Sequence, residues 1–286
     1  MPDREVRPAR ELRGDQPRDQ AGVDVQLATP GIPRYRMGAV TDASDRARSF
    51  GSQAELYDRL RPEYPPESLD AILPLGARRV ADVGAGTGRL TSALLARGLA
   101  VIAVEPDAAM REVLVARRPE ADVRAGAAEA LPLADGEVDA VLFGQSWHWA
   151  DRERAAGEAL RVLARGGTLA MLWNLHDDRV PWIAELERLI GSDAGITRFP
   201  DPPVLPGFAA GRRTDVAWQQ TLTADGLVDL TRTYSAVSTR PSVERDRVLD
   251  DVRLLLGTSL GASGHDTIDV SYVCTTRAYR RLRGPS

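Results

Sequence analysis

The chain has 286 residues, 43% of them hydrophobic and 27% charged, with a formal net charge of −4 at pH 7. This composition allows a sizeable core, and the mild negative charge argues against a nucleic-acid or anionic-membrane partner. All 37 basic residues are arginine and Cys274 is the only cysteine, which excludes lysine chemistry, a disulfide framework and a zinc cluster and favours a reducing cytoplasm.

The first 48 residues differ from the rest of the chain. They carry arginine and acidic residues in near balance, five prolines and few periodic apolar positions. Such a segment buries too little surface to offset the entropy of ordering, so we expect a disordered leader at 1–48. Its charged start leaves no signal-peptide core, and no apolar run in the sequence approaches the ~18 residues of a membrane helix.

From Phe50 onward, helix-like and strand-like segments alternate. Helices are predicted at 53–60, 67–75, 89–98, 108–118 and 151–167, and apolar strands at 78–83, 100–106, 121–126, 138–145 and 168–174. This alternation predicts βαβ units around a buried parallel sheet. Further helices are predicted at 180–191, 223–235 and 242–257. Two strands at 215–221 and 267–281 alternate polar and apolar residues, which predicts an antiparallel pair at one end of the sheet.

A glycine-rich loop follows the first predicted strand in "ADVGAGTGRL", residues 81–90. Such a loop brings backbone amides close to a ligand at the start of a helix. The dinucleotide fingerprint G-x-G-x-x-G requires a third glycine where this chain has Arg89, so the loop is G-x-G-x-G, or else a bare turn. Glu105 ends the next strand and is placed to accept hydrogen bonds from both ribose hydroxyls of an adenosine. The alternative is a surface acid that caps the following helix, a role for which Asp107 is already suited.

Four motifs in this order resemble the class I S-adenosylmethionine-dependent methyltransferases, in particular their small-molecule type 11 group. The motifs are the acidic glycine loop at 82–88, "VEPDAAM", "AGAAEALPLADGEVDAVLFGQSWHW" and "RVLARGGTLAMLWN". The resemblance is strong over residues 50–175 and looser towards the C-terminus, where the tail is similar to trans-aconitate methyltransferases. It implies a Rossmann-like α/β fold: a doubly wound, mostly parallel seven-stranded sheet with helices on both faces and the antiparallel C-terminal pair.

The resemblance also implies a set of residues that bind S-adenosyl-L-methionine. The methionine moiety would contact Asp82, Gly84, Ala85, Gly86 and Gly88, with Gln145 and Ser146 lining the same end. The ribose would bind Glu105, and the adenine would lie near Pro106, Met110, Ala128 and Glu129. Met110 is equally suited to an ordinary helix core, and the backbone at Ala128 is an alternative to a Glu129 side chain that faces solvent.

The stretch "GQSWHWAD" lies where a doubly wound sheet keeps its chemistry, beyond the carboxyl end of a strand. His148 is the candidate general base or substrate contact, and a structural role is its alternative. Trp147 and Trp149 are candidates for an aromatic wall facing a sulfonium or apolar substrate, or for packing, which is favoured for Trp149.

The helix before the first strand offers a lid. The segment "YDRLRPEYP" resembles one that folds over the bound cofactor, so Tyr57, Arg61 and Tyr64 are candidates for closing the site or, alternatively, for covering a sheet edge. His176 and His265 belong to no recognisable constellation and are expected at the surface. Cys274 is expected in the core.

These observations predict a methyltransferase that acts on an oxygen, nitrogen or carbon of a small molecule, such as a carboxylate or a natural-product hydroxyl. A nicotinamide-dependent oxidoreductase and a non-catalytic cofactor-binding scaffold are the alternatives. We expect a cytoplasmic monomer or homodimer with no metal, nucleic-acid or membrane partner. Residues 49–178 are predicted to form the cofactor-binding core with its lid helix, and residues 179–286 to form the substrate-shaping helices and final strands of the same domain.

Overall fold

The computed structural model describes residues 60–191 and 204–282. The strands of these residues are β1 (Arg79–Val83), β2 (Ala100–Glu105), β3 (Asp122–Ala125), β4 (Val138–Gly144), β5 (Leu163–His176), β6 (Arg212–Thr223) and β7 (Thr267–Arg280). The helices are α1 (Pro66–Asp70), α2 (Arg89–Leu95), α3 (Ala108–Arg117), α4 (Arg152–Val162), α5 (Pro181–Ile190), α6 (Ala224–Thr233), α7 (Ser235–Ser238) and α8 (Ser242–Leu260). The predicted leader at 1–48 and the lid candidate Tyr57 lie outside the described residues.

The seven described strands form one sheet in the order β3-β2-β1-β4-β5-β7-β6. Strands β1 to β5 pair in parallel, whereas β7 runs antiparallel to both β5 and β6. The predicted doubly wound sheet with an antiparallel C-terminal pair is therefore confirmed. The chain order changes direction between β1 and β4, and ligands of open α/β sheets bind in the crevice at this kind of switch point.

Apolar strands pack against helices on the two faces of the sheet. On one face Leu142 of β4 joins Leu90 and Leu94 of α2 in a buried cluster. On the other face Phe143, the next residue of β4, joins a cluster with Ala155 of α4. Successive strand residues point to opposite faces, so a continuous apolar run satisfies both layers at once.

A further core lies where the ends of β6 and β7 meet the later helices. Ile183 of α5, Leu227 of α6, Leu256 of α8 and Tyr272 of β7 are all buried there. This cluster holds α5, α6 and α8 beside the extended end of β5. No helix within residues 60–191 and 204–282 is both long and apolar enough to cross a membrane.

The predicted helix at 151–167 is wrong at its C-terminal end. The helix stops at Val162, and Leu163 adopts extended backbone and pairs with Val138 of β4. The register of that pairing then shifts, and Gly166 takes a φ of +77° within the irregular stretch. The apolar spacing of Leu160 and Leu163 continues the helical period, so only the pairing with β4 reveals that the strand has begun.

Candidate active site

The glycine loop between β1 and α2 forms the floor of the crevice. All three of its glycines have a positive φ, +70° at Gly84, +57° at Gly86 and +92° at Gly88. A Cβ at Gly84 would lie 2.6 Å from the Cβ of Ser146, and one at Gly88 would lie 2.2 Å from Leu114. A Cβ at Gly86 would meet nothing within 4 Å. The outer glycines therefore permit close packing, and the middle one borders open space.

Glu105, at the end of β2, connects this loop to the next helix. Its two carboxylate oxygens accept hydrogen bonds from the backbone amides of Gly86 and Asp107, each at 2.9 Å. The residue is only 7% exposed, so it is not a surface acid. The Asp107 carboxylate caps α3 by accepting from the amides of Ala109 and Met110, which confirms the capping role considered for that residue. Each Glu105 oxygen retains a lone pair that can accept a hydroxyl proton.

Asp82, at the end of β1, is buried beneath the loop. Its Oδ2 accepts a 2.7 Å hydrogen bond from the Thr91 hydroxyl, whereas its Oδ1 has no hydrogen-bond partner among the described residues. Burial raises the pKa of this carboxyl to about 7, and the hydrogen bonds from Thr91 oppose the rise. A buried acceptor without a partner costs free energy, so a cationic ligand group placed here would be stabilised.

The loop after β4 is tied to the strands on both of its sides. Gln145 has a φ of +57° and is the one non-glycine residue with a positive φ in the described ranges. Its amide donates to the Leu172 carbonyl at 2.9 Å, and its side-chain nitrogen donates to the Asn174 carbonyl at 3.0 Å. The Ser146 hydroxyl donates to the Val83 carbonyl at 2.6 Å. Backbone strain held by several hydrogen bonds is typical of functional sites.

The two tryptophans of this loop have opposite environments. Trp147 is buried and packs edge-on against Phe143, with ring centroids 4.8 Å apart, which is the packing alternative for that residue. Trp149 is 70% exposed, so the expectation that it packs is wrong. The 3₁₀ turn at Trp147–Trp149 points the two tryptophan side chains in different directions. The sequence spacing alone does not tell which of the two is buried.

His148 lies between these tryptophans and is half-buried. Burial, with a smaller contribution from the positive charge of Arg152, lowers the pKa of its imidazole. Its Nδ1 has no hydrogen-bond partner among the described residues. The ring is therefore neutral at pH 7, but no hydrogen bond at Nδ1 fixes its orientation.

The remaining cofactor candidates lie along β2, α3 and the loop after β3. Pro106 is exposed, and Met110 is half-buried on a helix whose one buried residue is Leu114, so the alternative of an ordinary helix core does not hold for Met110. Ala128 is half-buried. The Glu129 carboxylate accepts a 2.7 Å hydrogen bond from the amide of Asp151, which joins this loop to the start of α4.

The two described lid candidates contact different elements. Tyr64 is buried over the end of β4, where its hydroxyl would lie 2.6 Å from a Cβ at Gly144. Arg61 donates to the Thr233 carbonyl at 2.9 Å, and its guanidinium lies 4.5 Å from the Tyr234 ring centroid. The segment at 61–64 therefore spans from β4 to the end of α6.

His176 is the functional candidate that the sequence analysis missed. Its side chain is 3% exposed, so the expectation of a surface position is wrong, whereas His265 is exposed as expected. Its Nδ1 pairs with the Glu187 carboxylate, and its Nε2 lies 3.2 Å from the Tyr272 hydroxyl and 3.3 Å from the Tyr234 hydroxyl. The one available signal was a histidine at the carboxyl end of a strand, because its partners are distant in sequence.

Two further observations concern cysteine and metals. Cys274 is buried as expected, and its burial raises the pKa of the thiol to about 11. The part of the chain that the structure describes contains no group of three or more His, Cys, Asp or Glu side chains placed to hold a metal ion.

Comparison with known proteins identifies the family. A family model described as "Methyltransferase domain" matches residues 81–171, which span the glycine loop to β5. An uncharacterized methyltransferase of Mycobacterium tuberculosis is 44% identical over 230 residues, covering 80% of this chain and 94% of that protein. The chain belongs to the class I S-adenosylmethionine-dependent methyltransferases of the type 11 group.

Two more distant relatives of this methyltransferase are informative. A malonyl-[acyl-carrier protein] O-methyltransferase of Methylococcus capsulatus is 36% identical over 153 residues, 49% of this chain and 56% of that protein. A solved methyltransferase structure from Anaeromyxobacter dehalogenans has a TM-score of 0.57 at 24% identity, covering 78% of this chain and 99% of that one. This likeness confirms the Rossmann-like methyltransferase fold. Membership of the methyltransferase family favours methyl transfer over the nicotinamide-dependent alternative.

Proposed function

We propose that this methyltransferase binds S-adenosyl-L-methionine in the crevice above the glycine loop and transfers its methyl group to an oxygen of a small molecule. One observation supports this proposal most strongly. Glu105 is a buried carboxylate held by two backbone amides directly beside Gly86, whose missing side chain leaves open space. A fixed carboxylate beside an open backbone loop is the arrangement expected for binding a nucleoside.

The proposed roles follow from the contacts of each residue. Glu105 binds the ribose hydroxyls, while Asp82 and the glycine loop, Gly84, Ala85, Gly86 and Gly88, hold the methionine end. The unpartnered Oδ1 of Asp82 suits the cationic amino group there. Gln145 and Ser146 form the wall next to β4, and Pro106, Met110, Ala128 and Glu129 border the adenine. The bound compound supplies an electrophilic methyl group, and the chain positions it and excludes water.

The acceptor is proposed to be a small molecule. The net charge of −4 gives no general attraction for nucleic acid. The O-methyltransferase similar to this chain acts, by its name, on a malonyl group, which is compatible with an oxygen acceptor. Carboxylate and hydroxyl oxygens are both compatible with this proposal. Tyr57, Arg61, Tyr64 and Trp149 are the proposed lid and acceptor residues, and His148 is a proposed base or substrate contact.

The remaining features stay predictions. We place the protein in the cytoplasm as a monomer or homodimer, with a core at 49–178 and a substrate-shaping part at 179–286. The cytoplasmic placement rests on the single cysteine, and the division of the chain rests on the pattern of predicted helices and strands.

Calorimetric titration tests the proposed cofactor site. Wild-type protein is expected to bind S-adenosylhomocysteine and to show no response to NADH. Glu105→Gln should weaken binding at least about tenfold, because hydrogen bonds to a charged acceptor contribute roughly 1.5–3 kcal/mol each. The matched control is Glu112→Gln, which changes an exposed acid on α3 and should bind as wild type does. Equal affinities for the Glu105 and Glu112 variants would contradict the proposal.

A further inference from the structure

Four polar side chains form a cluster beyond the residues assigned above to the cofactor. His176, Glu187, Tyr234 and Tyr272 make up this His176 cluster. Gly144, the last residue of β4, pairs with Leu172, so β5 continues past the end of β4 as far as His176. At about 3.3 Å per residue this extension reaches about 13 Å further. The cluster therefore overhangs the carboxyl edge of the sheet, where the crevice opens.

The cluster is continuous with the loop after β4. His176 pairs with Tyr272 across β5 and β7, and Tyr272 pairs with Trp218 across β7 and β6. The His176 and Tyr272 rings have centroids 4.8 Å apart, and the Trp218 ring stacks on Tyr272 at 5.2 Å. Trp218 donates to the Asn174 side chain at 3.1 Å, and the Asn174 carbonyl accepts from Gln145. Hydrogen bonds and ring contacts thus connect the cluster to the wall of the cofactor site.

The hydrogen bonds of His176 indicate which ring nitrogen carries a proton and which can accept one. The Glu187 carboxylate at Nδ1 is an acceptor, so Nδ1 carries the ring proton and Nε2 is left as an acceptor. Two tyrosine hydroxyls face that Nε2 at 3.2 and 3.3 Å. Tyr272 is fully buried, and its burial raises the pKa of its phenol well above the ordinary value, so it stays protonated. Tyr234 is half-buried and so more exposed than Tyr272, with which it also shares a side-chain hydrogen bond.

The two histidines near the crevice have different charged neighbours. At His148, burial and the charge of Arg152 both lower the pKa of the imidazole, and Nδ1 has no hydrogen-bond partner among the described residues. At His176, the Glu187 carboxylate pairs with Nδ1, and the Arg61 guanidinium lies 4.5 Å from the ring centroid of the neighbouring Tyr234. His176 therefore has a carboxylate that orients its ring and can balance a charge on it.

We propose that Tyr234 takes the proton of a hydroxyl-bearing acceptor and passes its own proton to His176, with Glu187 balancing the charge. This inference rests on the proposed function and narrows its acceptor from oxygen in general to a hydroxyl group, because an ionised carboxylate has no proton to give. Tyr234 is the catalytic residue in this relay. His176 and Glu187 are positioning residues that act through it.

The step balances in atoms and charge. The acceptor O–H bond breaks and its electron pair stays on oxygen, which forms the new bond to the methyl carbon. The acceptor proton goes to Tyr234 Oη, the former Tyr234 proton goes to His176 Nε2, and the imidazolium pairs with Glu187. S-adenosyl-L-methionine held by the proposed cofactor residues would supply the methyl group, and the electron pair of the broken S–C bond would stay on its leaving sulfur.

A chromogenic phenol tests the relay without turnover. 4-Nitrophenol is titrated into the full chain with and without S-adenosylhomocysteine, at a pH where the free phenol is mostly protonated, and the phenolate absorption is followed. Wild type is expected to raise the phenolate fraction at least about fivefold over free 4-nitrophenol. Tyr234→Phe, which removes a single oxygen, and His176→Gln should abolish the rise, and Glu187→Gln should reduce it severalfold.

The controls separate this inference from the proposed function. His265→Gln, at an exposed position with no proposed role, should behave as wild type. S-adenosylhomocysteine affinity is measured for each variant, so loss of cofactor binding is recognised separately from loss of proton acceptance. The relay would be overturned if wild type did not raise the phenolate fraction above that of free 4-nitrophenol, or if a folded Tyr234→Phe variant raised it as much as wild type does. Either result would count even where S-adenosylhomocysteine binds normally.

Discussion

The two ends of the crevice are formed by different kinds of chemical group. At the proposed cofactor end, the groups are backbone amides and two carboxylates from the ends of adjacent strands, Asp82 and Glu105. At the proposed acceptor end, side chains from β5, α5, β7 and the α6–α7 boundary meet around His176. The first end depends on glycine geometry over a few consecutive residues. The second depends on the packing of distant elements. We therefore expect substitutions at one end to leave the property of the other largely intact.

The largest effect is expected for Gly84→Val at the cofactor end. A β-branched residue at a φ of +70°, with its Cβ 2.6 Å from that of Ser146, should cost about 3–5 kcal/mol and reduce S-adenosylhomocysteine affinity about 100-fold or more. Denaturant unfolding and calorimetry measure the two effects. Gly76→Ala, at a φ of +76° with nothing within 4 Å of the added Cβ and no proposed role, is the matched control with a cost of about 1–2 kcal/mol and unchanged affinity. Normal affinity in the Gly84 variant would refute the backbone-cradle account.

The second largest effect is expected for Asp82→Asn, which tests the raised pKa of the buried carboxyl through the pH dependence of stability. The folded-state pKa is raised from 3.8 to about 7, so the wild type loses stability as pH rises through this window and the carboxyl ionises. Asparagine does not titrate. The free energy of unfolding of the variant, relative to that of the wild type, should therefore rise by a few kcal/mol between the acidic and the neutral end of this pH range. Urea unfolding across that range provides the comparison. Parallel stability curves for the two proteins would show that the carboxyl is not perturbed.

Asn174→Ala probes the boundary between the two ends. The substitution removes a donor to the Glu63 carbonyl and an acceptor for Trp218, at a cost of about 1–3 kcal/mol. S-adenosylhomocysteine affinity should change less than about threefold, since the Gln145 contact uses the Asn174 backbone carbonyl. Asn174→Asp, which keeps the acceptor for Trp218, should lose less stability than alanine does. A large loss of cofactor affinity would show that the ends are coupled.

The smallest effect is expected for Trp149→Ala. Because this side chain is 70% exposed, its removal should change the free energy of unfolding by less than about 0.5 kcal/mol and leave S-adenosylhomocysteine affinity within twofold. Thermal unfolding and calorimetry measure both quantities. A cost of several kcal/mol would mean that Trp149 packs like Trp147.

The difference between a site formed by consecutive residues and one formed by distant elements explains which features the sequence could predict. Strand–helix alternation predicted β1 to β5, and the spacing after the glycine loop predicted Glu105 as a ribose ligand, a role that stays a prediction. His176 was misjudged because its partners lie 11, 58 and 96 residues away, so no local pattern brings them together. Trp147 and Trp149 are two positions apart, and only the turn between them decides which one is buried. The end of α4 was misplaced because strand pairing with β4, not helix propensity, sets it.

A crystal structure of the full chain with S-adenosylhomocysteine tests the central claim most directly. The account predicts the ribose hydroxyls on the Glu105 carboxylate, the homocysteine end over Asp82, and the sulfur facing the space between the loop after β4 and the β5 extension. A nucleoside bound away from Glu105, or a sulfur turned away from that extension, would contradict it.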